Sequence, residues 1–81
     1  MKLLYFAQLV ELLQVSHEDV ELPAGVRNVG DLIDWLGSRG EPWITHLVAG
    51  RIQVTVNKQF AQRTTEVRND DEIGFFPRRD A

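Results

Sequence analysis

Apolar and polar positions alternate along this chain with two different periods, and the changes of period mark its elements. Residues 3–6 read as a strand, with Leu3 and Tyr5 on one face and Leu4 and Phe6 on the other. Both faces are apolar, so this strand is central and covered on both sides, or covered on one side by a partner. Residues 7–14 carry Leu9, Val10, Leu12 and Leu13 among good helix formers and predict a short helix. Residues 15–21 hold His17, Glu18, Asp19 and Glu21, with Val20 and Leu22 alternating in. That pattern predicts an edge strand whose solvated charges discourage further pairing. Pro23-Ala24-Gly25 is a turn.

The clearest helix follows. Val29, Leu32, Ile33 and Leu36 fall at i, i+3, i+4 and i+7, a stripe that faces a core. Asn28 is placed to cap its start, with Asp31 in the first turn, and Gly37 or Gly40 can supply the left-handed end. Glu41-Pro42 opens another short helix, for which Ile44, Leu47 and Val48 are the expected buried edge. Residues 51–56 return to strict alternation, with Ile52, Val54 and Val56 inward. Asn57-Lys58 is a turn, residues 59–62 a short return strand containing Phe60, and Asn69-Asp70-Asp71-Glu72 an acidic turn into a last strand, Ile73-Gly74-Phe75-Phe76. Pro77 has no N–H to donate, so pairing is expected to stop there and residues 77–81 to project as a tail.

This order predicts a single α+β domain over residues 1–81, a mixed sheet with its main helix packed across one face. Pairing the first and last strands at the centre puts Leu3, Tyr5, Ile73 and Phe75 inside. Phe6 and Phe76 then point to the opposite face, with Phe60 a third candidate for it. Core packing remains open for these phenylalanines; strand parity favours exposure for Phe6 and Phe76. Three phenylalanines on the open side of a small sheet would mark a partner site.

Composition narrows the function classes. A chain of 81 residues builds a core worth roughly 3–5 kcal/mol, which favours a binding surface or subunit role over a private catalytic cleft. The net charge of −3, with both signs mixed, gives no basic stripe for nucleic acid. There is no cysteine, hence no disulfide, thiolate metal site or thiol nucleophile. No apolar run reaches membrane length, and a cytoplasmic protein is expected. Asp70, Asp71 and Glu72 read as a solvated turn rather than a metal site. His17 and His46 are isolated, and Trp35 and Trp43 read as half-buried packing.

Three blocks carry a resemblance. Residues 2–8 (Lys-Leu-Leu-Tyr-Phe-Ala-Gln), 54–58 (Val-Thr-Val-Asn-Lys) and 70–77 (Asp-Asp-Glu-Ile-Gly-Phe-Phe-Pro) resemble the small subunit of molybdopterin synthase over essentially the whole chain. The terminal block is the most specific. The resemblance implies a ubiquitin-like β-grasp fold and a sulfur-carrier role in molybdenum cofactor biosynthesis. It implies two protein partners, the large subunit of molybdopterin synthase and an E1-like adenylating sulfurtransferase. The latter uses ATP to activate the terminal carboxylate; the carrier itself binds no cofactor. Sulfur then replaces AMP, and the thiocarboxylate tail enters the large subunit, which builds the dithiolene. Phe6, Phe60, Phe76, Pro77, Arg78 and Arg79 are the residues expected to meet partners.

The family ends in Gly-Gly a few residues after Phe-Phe-Pro. Here Arg78-Arg79-Asp80-Ala81 follows instead, and Val10 stands where the family often has Arg. No residue is therefore assigned as the thiocarboxylate-bearing one. A chain with this ending is expected to dock a large subunit and to be a poor substrate for thiocarboxylation. A non-carrier β-grasp interaction module that keeps the docking face is the alternative from another class. A thiazole-pathway sulfur carrier is a further one, and a stand-alone enzyme fits least.

Overall fold

The structure, a computed structural model, describes residues 1–78. Its five-stranded sheet has the order β2-β1-β5-β3-β4. The strands are β1 (Lys2–Tyr5), β2 (His17–Asp19), β3 (Ile52–Val56), β4 (Gln59–Ala61) and β5 (Glu72–Pro77). The helices are α1 (Gln8–Leu13), α2 (Val29–Gly37) and α3 (Trp43–His46), followed by a 3-10 turn at Ala49–Arg51. First and last strands are parallel neighbours, with Leu3 opposite Ile73 and Tyr5 opposite Phe75. Every other pairing is antiparallel, so the sheet is mixed. The charged β2 is an edge strand, as its sequence requires.

Alternation divides the sheet into two unlike faces. Leu3, Tyr5, Ile52, Val54, Ile73 and Phe75 are buried on one face and form a single core with the α2 stripe of Val29, Leu32, Ile33 and Leu36. At this size each large buried side chain carries a sizeable part of the stability, about 1.5–3 kcal/mol from transfer alone. Leu9 and Leu13 bring α1 onto the same core. Among the described residues no helix covers the other face.

The start of α2 is held from outside the helix as well as by its cap. Asn28 Oδ1 accepts the Asp31 N–H at 2.8 Å. Val29 N–H donates to Thr65 O at 3.0 Å and Gly30 N–H to Arg63 O at 2.9 Å. Two N–H groups with no partner inside a helix are thus satisfied by the loop between β4 and β5. Gly40, at φ +89°, supplies the left-handed residue after α2; Gly37 lies within the helix.

Two expectations need correction. Of Ile44, Leu47 and Val48, only Leu47 is buried; Ile44 and Val48 are exposed. The helix is a single turn and cannot present so wide a stripe inward; Trp43 supplies the rest of its core contact. Pro77 does not end the pairing. It sits opposite Ile52, and Arg78 N–H donates to Arg51 O at 2.8 Å. N–H groups alternate sides along a strand, so the one Pro77 lacks would point towards β1, which has already ended at Tyr5. Pro77 and Arg78 therefore belong to the sheet rather than to a projecting tail. Arg79, Asp80 and Ala81, the rest of the expected tail, lie outside the described residues.

A polar knot pins the β2 edge to the helices. Tyr5 Oη donates to Glu18 Oε2 at 2.8 Å, and Arg39 donates to both carboxylate oxygens at 2.9 and 3.1 Å. The Arg39 guanidinium lies over Trp35 and Trp43, 4.9 and 4.7 Å from the ring centres. Burial pushes the Tyr5 hydroxyl up, and its bond to Glu18 pushes it further. Burial also raises the Glu18 carboxyl, but hydrogen bonds from Arg39 and Tyr5 and the charge of Arg39 outweigh it. The carboxyl is held below its ordinary value of 4.5. A depressed carboxyl contributes stability that is present above about pH 4.5 and lost as pH falls through its lower folded value. Glu18→Gln is expected to lower the urea midpoint at pH 7 and to flatten its decline below pH 4.5. A decline as steep as in the unmodified protein would show that Glu18 does not carry this linkage.

Candidate interaction site

The open face is assembled by strand parity. Leu4, Gly74, Thr55 and Phe60 stand in one row across β1, β5, β3 and β4, since Leu4 pairs with Gly74, Gly74 with Thr55, and Thr55 with Phe60. Phe76 lies one row on, opposite Gln53, and Phe6 follows the end of β1. The rings of Phe6 and Phe76 stack face to face, 4.3 Å between centres and 3° from parallel. Phe60 is 78% exposed and Phe6 37%; Phe76 is half-buried. All three line one open depression of about 590 Å³.

Gly74 forms the floor of that depression. A Cβ there would lie 2.6 Å from Thr55 Oγ1 and 3.3 Å from carbons of both Phe6 and Phe76. Any side chain at this position would collide with the neighbouring strand and push into the ring pair. The absence of one lets the two rings close over β5. Here a glycine in a central strand marks close approach rather than weakness.

At one end of the depression sits the β3–β4 turn. Asn57 and Lys58 have φ of +52° and +72°, a two-residue turn of the mirror-image kind that suits a hairpin. Asn57 is tied to the acidic turn: its N–H donates to Glu72 O, its Oδ1 accepts Glu72 N–H, and its Nδ2 donates to Asp71 Oδ1. Asp71 Oδ2 accepts Arg68 N–H at 2.8 Å. The Asp71 carboxylate thus ties the two turns together. Among the described residues no three His, Asp or Glu side chains converge as metal ligands, and no helix is long and apolar enough to cross a membrane.

The residues expected to meet partners are distributed as follows. Phe6, Phe60, Phe76 and Pro77 all line the same depression. Arg78 is exposed, with its Nε 3.4 Å from Ile52 O at the exit of β5. Arg79 lies outside the described residues. Leu4, Gln53, Thr55, Lys58, Glu72 and Gly74 also line the depression and were not singled out from sequence as partner contacts. Parity could have found Leu4 and Thr55. Parity also places Gly74 beside Phe76; its close approach to Thr55 needed the register, and Lys58 needed the turn geometry.

A five-stranded mixed sheet with a helix across one face and parallel terminal strands at its centre defines a ubiquitin-like β-grasp domain, here with a bare aromatic face. The ThiS family model matches residues 3–78, and the chain belongs to that family. The chain is 30% identical over 77 residues to a molybdopterin synthase sulfur carrier subunit of Haemophilus influenzae, covering 95% of this chain and 93% of that one. It is similar to a solved Pyrococcus furiosus protein described as molybdopterin converting factor subunit 1, at TM-score 0.76 and 30% identity over 94% of this chain and 93% of that one. It is also similar to a small archaeal modifier protein 1 of Haloferax volcanii, at TM-score 0.67 and 27% identity over 95% of this chain and 94% of that one.

The close approach at Gly74 yields a coupled prediction. Gly74→Ala should cost about 1–3 kcal/mol through overpacking against Thr55. Thr55→Ala in the same chain should return most of that loss, because the hydroxyl is the first atom met. A double-mutant cycle by chemical denaturation checks it; strict additivity would place the strain elsewhere.

Proposed function

We propose that this chain is the sulfur-carrier small subunit of a molybdopterin synthase and docks on the large subunit through the Phe6, Phe60 and Phe76 face. The observation that carries this reading is the double use of β5. Phe76 contributes the aromatic face, and the same strand runs on through Pro77 to Arg78, from which the last residues of the chain follow. A partner seated on the face is therefore placed beside the point where the chain leaves β5. Membership of the ThiS family and likeness to a molybdopterin synthase sulfur carrier subunit support the role.

In this reading an adenylating enzyme binds first and uses ATP. The terminal carboxylate attacks the α-phosphorus and pyrophosphate leaves. A sulfur nucleophile then attacks the acyl carbon and AMP leaves, giving a thiocarboxylate. The carrier contributes its carboxylate and its docking face; ATP belongs to the adenylating partner. The protein works in the cytoplasm, where both partners are met. No thiol of its own is needed, because sulfur rides on the backbone carbonyl carbon.

Two measurements test this. Incubation with the adenylating enzyme, ATP and a sulfur donor, followed by intact mass, tests the carrier step: with Arg78-Arg79-Asp80-Ala81 the chain should gain little of the difference between one sulfur and one oxygen, and with the end rebuilt to Gly-Gly it should gain it in full. Docking with no gain even from the rebuilt end would reduce the protein to an interaction module that keeps the face but carries nothing. Phe60→Ala should weaken calorimetric affinity for the large subunit by about 2 kcal/mol, roughly 30-fold. Its melting temperature should hardly move, because Phe60 makes little of the core. Phe76 is the less clean probe, since removing it also strips Phe6 of its stacking partner. Unchanged affinity in Phe60→Ala would remove this face from the interface.

A further inference from the structure

Lys58 occupies a backbone position that does not suit it. Its φ of +72° is in the left-handed region, where a side chain with a Cβ is strained and where this second turn position favours glycine. Of the other non-glycine residues at positive φ, Gln14 and Asn57 have local roles, and Ala7 carries only a methyl group. Gln14 closes α1, with its N–H donating to Val10 O. Ala7 precedes that helix. Asn57 tolerates the conformation and uses its side chain to hold the acidic turn. Lys58 is different: among the described residues its side chain makes no hydrogen bond and no ion pair. The turn gains nothing from a lysine. The side chain instead lines the depression that holds Phe6, Phe60 and Phe76.

Strain kept at a residue with no role in the fold argues for a role outside it. We infer that Lys58 is a specificity-determining contact, presenting its ammonium at the rim of the aromatic face to a carboxylate on the docking partner. This rests on the reading of that face as the docking surface. A cation at the rim of an apolar contact is partly desolvated when the partner closes over it. A matching carboxylate offsets that cost and steers the approach. The nearby acids do not supply it from within the chain. Asp71 is engaged by Asn57 and Arg68, and Glu72, which lines the same depression, forms no ion pair with Lys58.

The test uses the full chain and its cognate large subunit, with association rates and affinities measured at low and at high ionic strength. Lys58→Met keeps the aliphatic stem and loses the charge; Lys58→Arg keeps the charge. Lys58→Gly removes both and relieves the backbone. Lys58→Met and Lys58→Gly are expected to bind roughly three- to tenfold more weakly at low salt, chiefly through slower association. Their deficit should shrink at high salt, where the lost attraction is screened in the unmodified protein too. Lys58→Arg should bind as the unmodified protein does. Lys58→Gly should melt at the same temperature or higher; a lower melting temperature would mean the lysine serves the fold, and would overturn the inference. Unmodified affinity in Lys58→Met would show that charge is not what the partner reads, with the same consequence. Phe60→Ala separates the two levels. If it too binds normally, the docking reading fails and takes Lys58 with it. If it binds weakly while the Lys58 variants do not, only the inference about Lys58 fails.

Discussion

The parallel ladder between Lys2–Tyr5 and Glu72–Pro77 is the contact on which everything else rests. It joins the two most distant parts of the chain, so loop closure is paid for nearly the whole length before any return is felt. The return is a continuous inner surface, with Leu3, Tyr5, Ile73 and Phe75 buried side by side and Tyr5 stacked on Phe75 at 5.4 Å. The α2 stripe has a flat apolar floor only because this pairing exists. The outer surface follows from the same register, since fixing Leu4 against Gly74 also fixes where Phe6 and Phe76 meet.

A strand with two faces separates core packing from the open aromatic surface. Along β5, Ile73 and Phe75 serve the core, while Gly74 and Phe76 serve the open side. Alternation keeps these duties apart to first order. The exception is Gly74, whose missing side chain governs both the fit against Thr55 and the closure of the ring pair above it. The hairpin turn shows a related economy. Asn57 binds the acidic turn and sets where β5 begins, leaving Lys58 free to face outward.

Much of this was legible in the sequence, for reasons of periodicity. The α2 stripe, the Asn28 cap, the alternation of Ile52, Val54 and Val56 and the charged edge strand each follow from local spacing, and each stands in the structure. The grouping of Phe6 and Phe76 on the open side was legible from parity alone. Features that depend on distant partners were not. Arg39 reaches Glu18 across 21 positions and Tyr5 reaches it across 13, and no local pattern announces either bond. The burial of α3 was misjudged because one helical turn has too few residues for a stripe. Pro77 was misread because a missing N–H matters only on the side where a neighbouring strand waits, and that side is known only once the sheet order is known.

The arrangement of β1 and β5 also has a mechanical consequence. The strands run in the same direction, with Lys2 at the start of one and Pro77 at the finish of the other. A pull applied between the amino end and the residues beyond β5 therefore drives the strands lengthwise past each other. The evenly spaced bonds of a parallel ladder then carry the load together instead of opening one at a time. Any force transmitted through the residues after β5 therefore acts along the grain of the sheet.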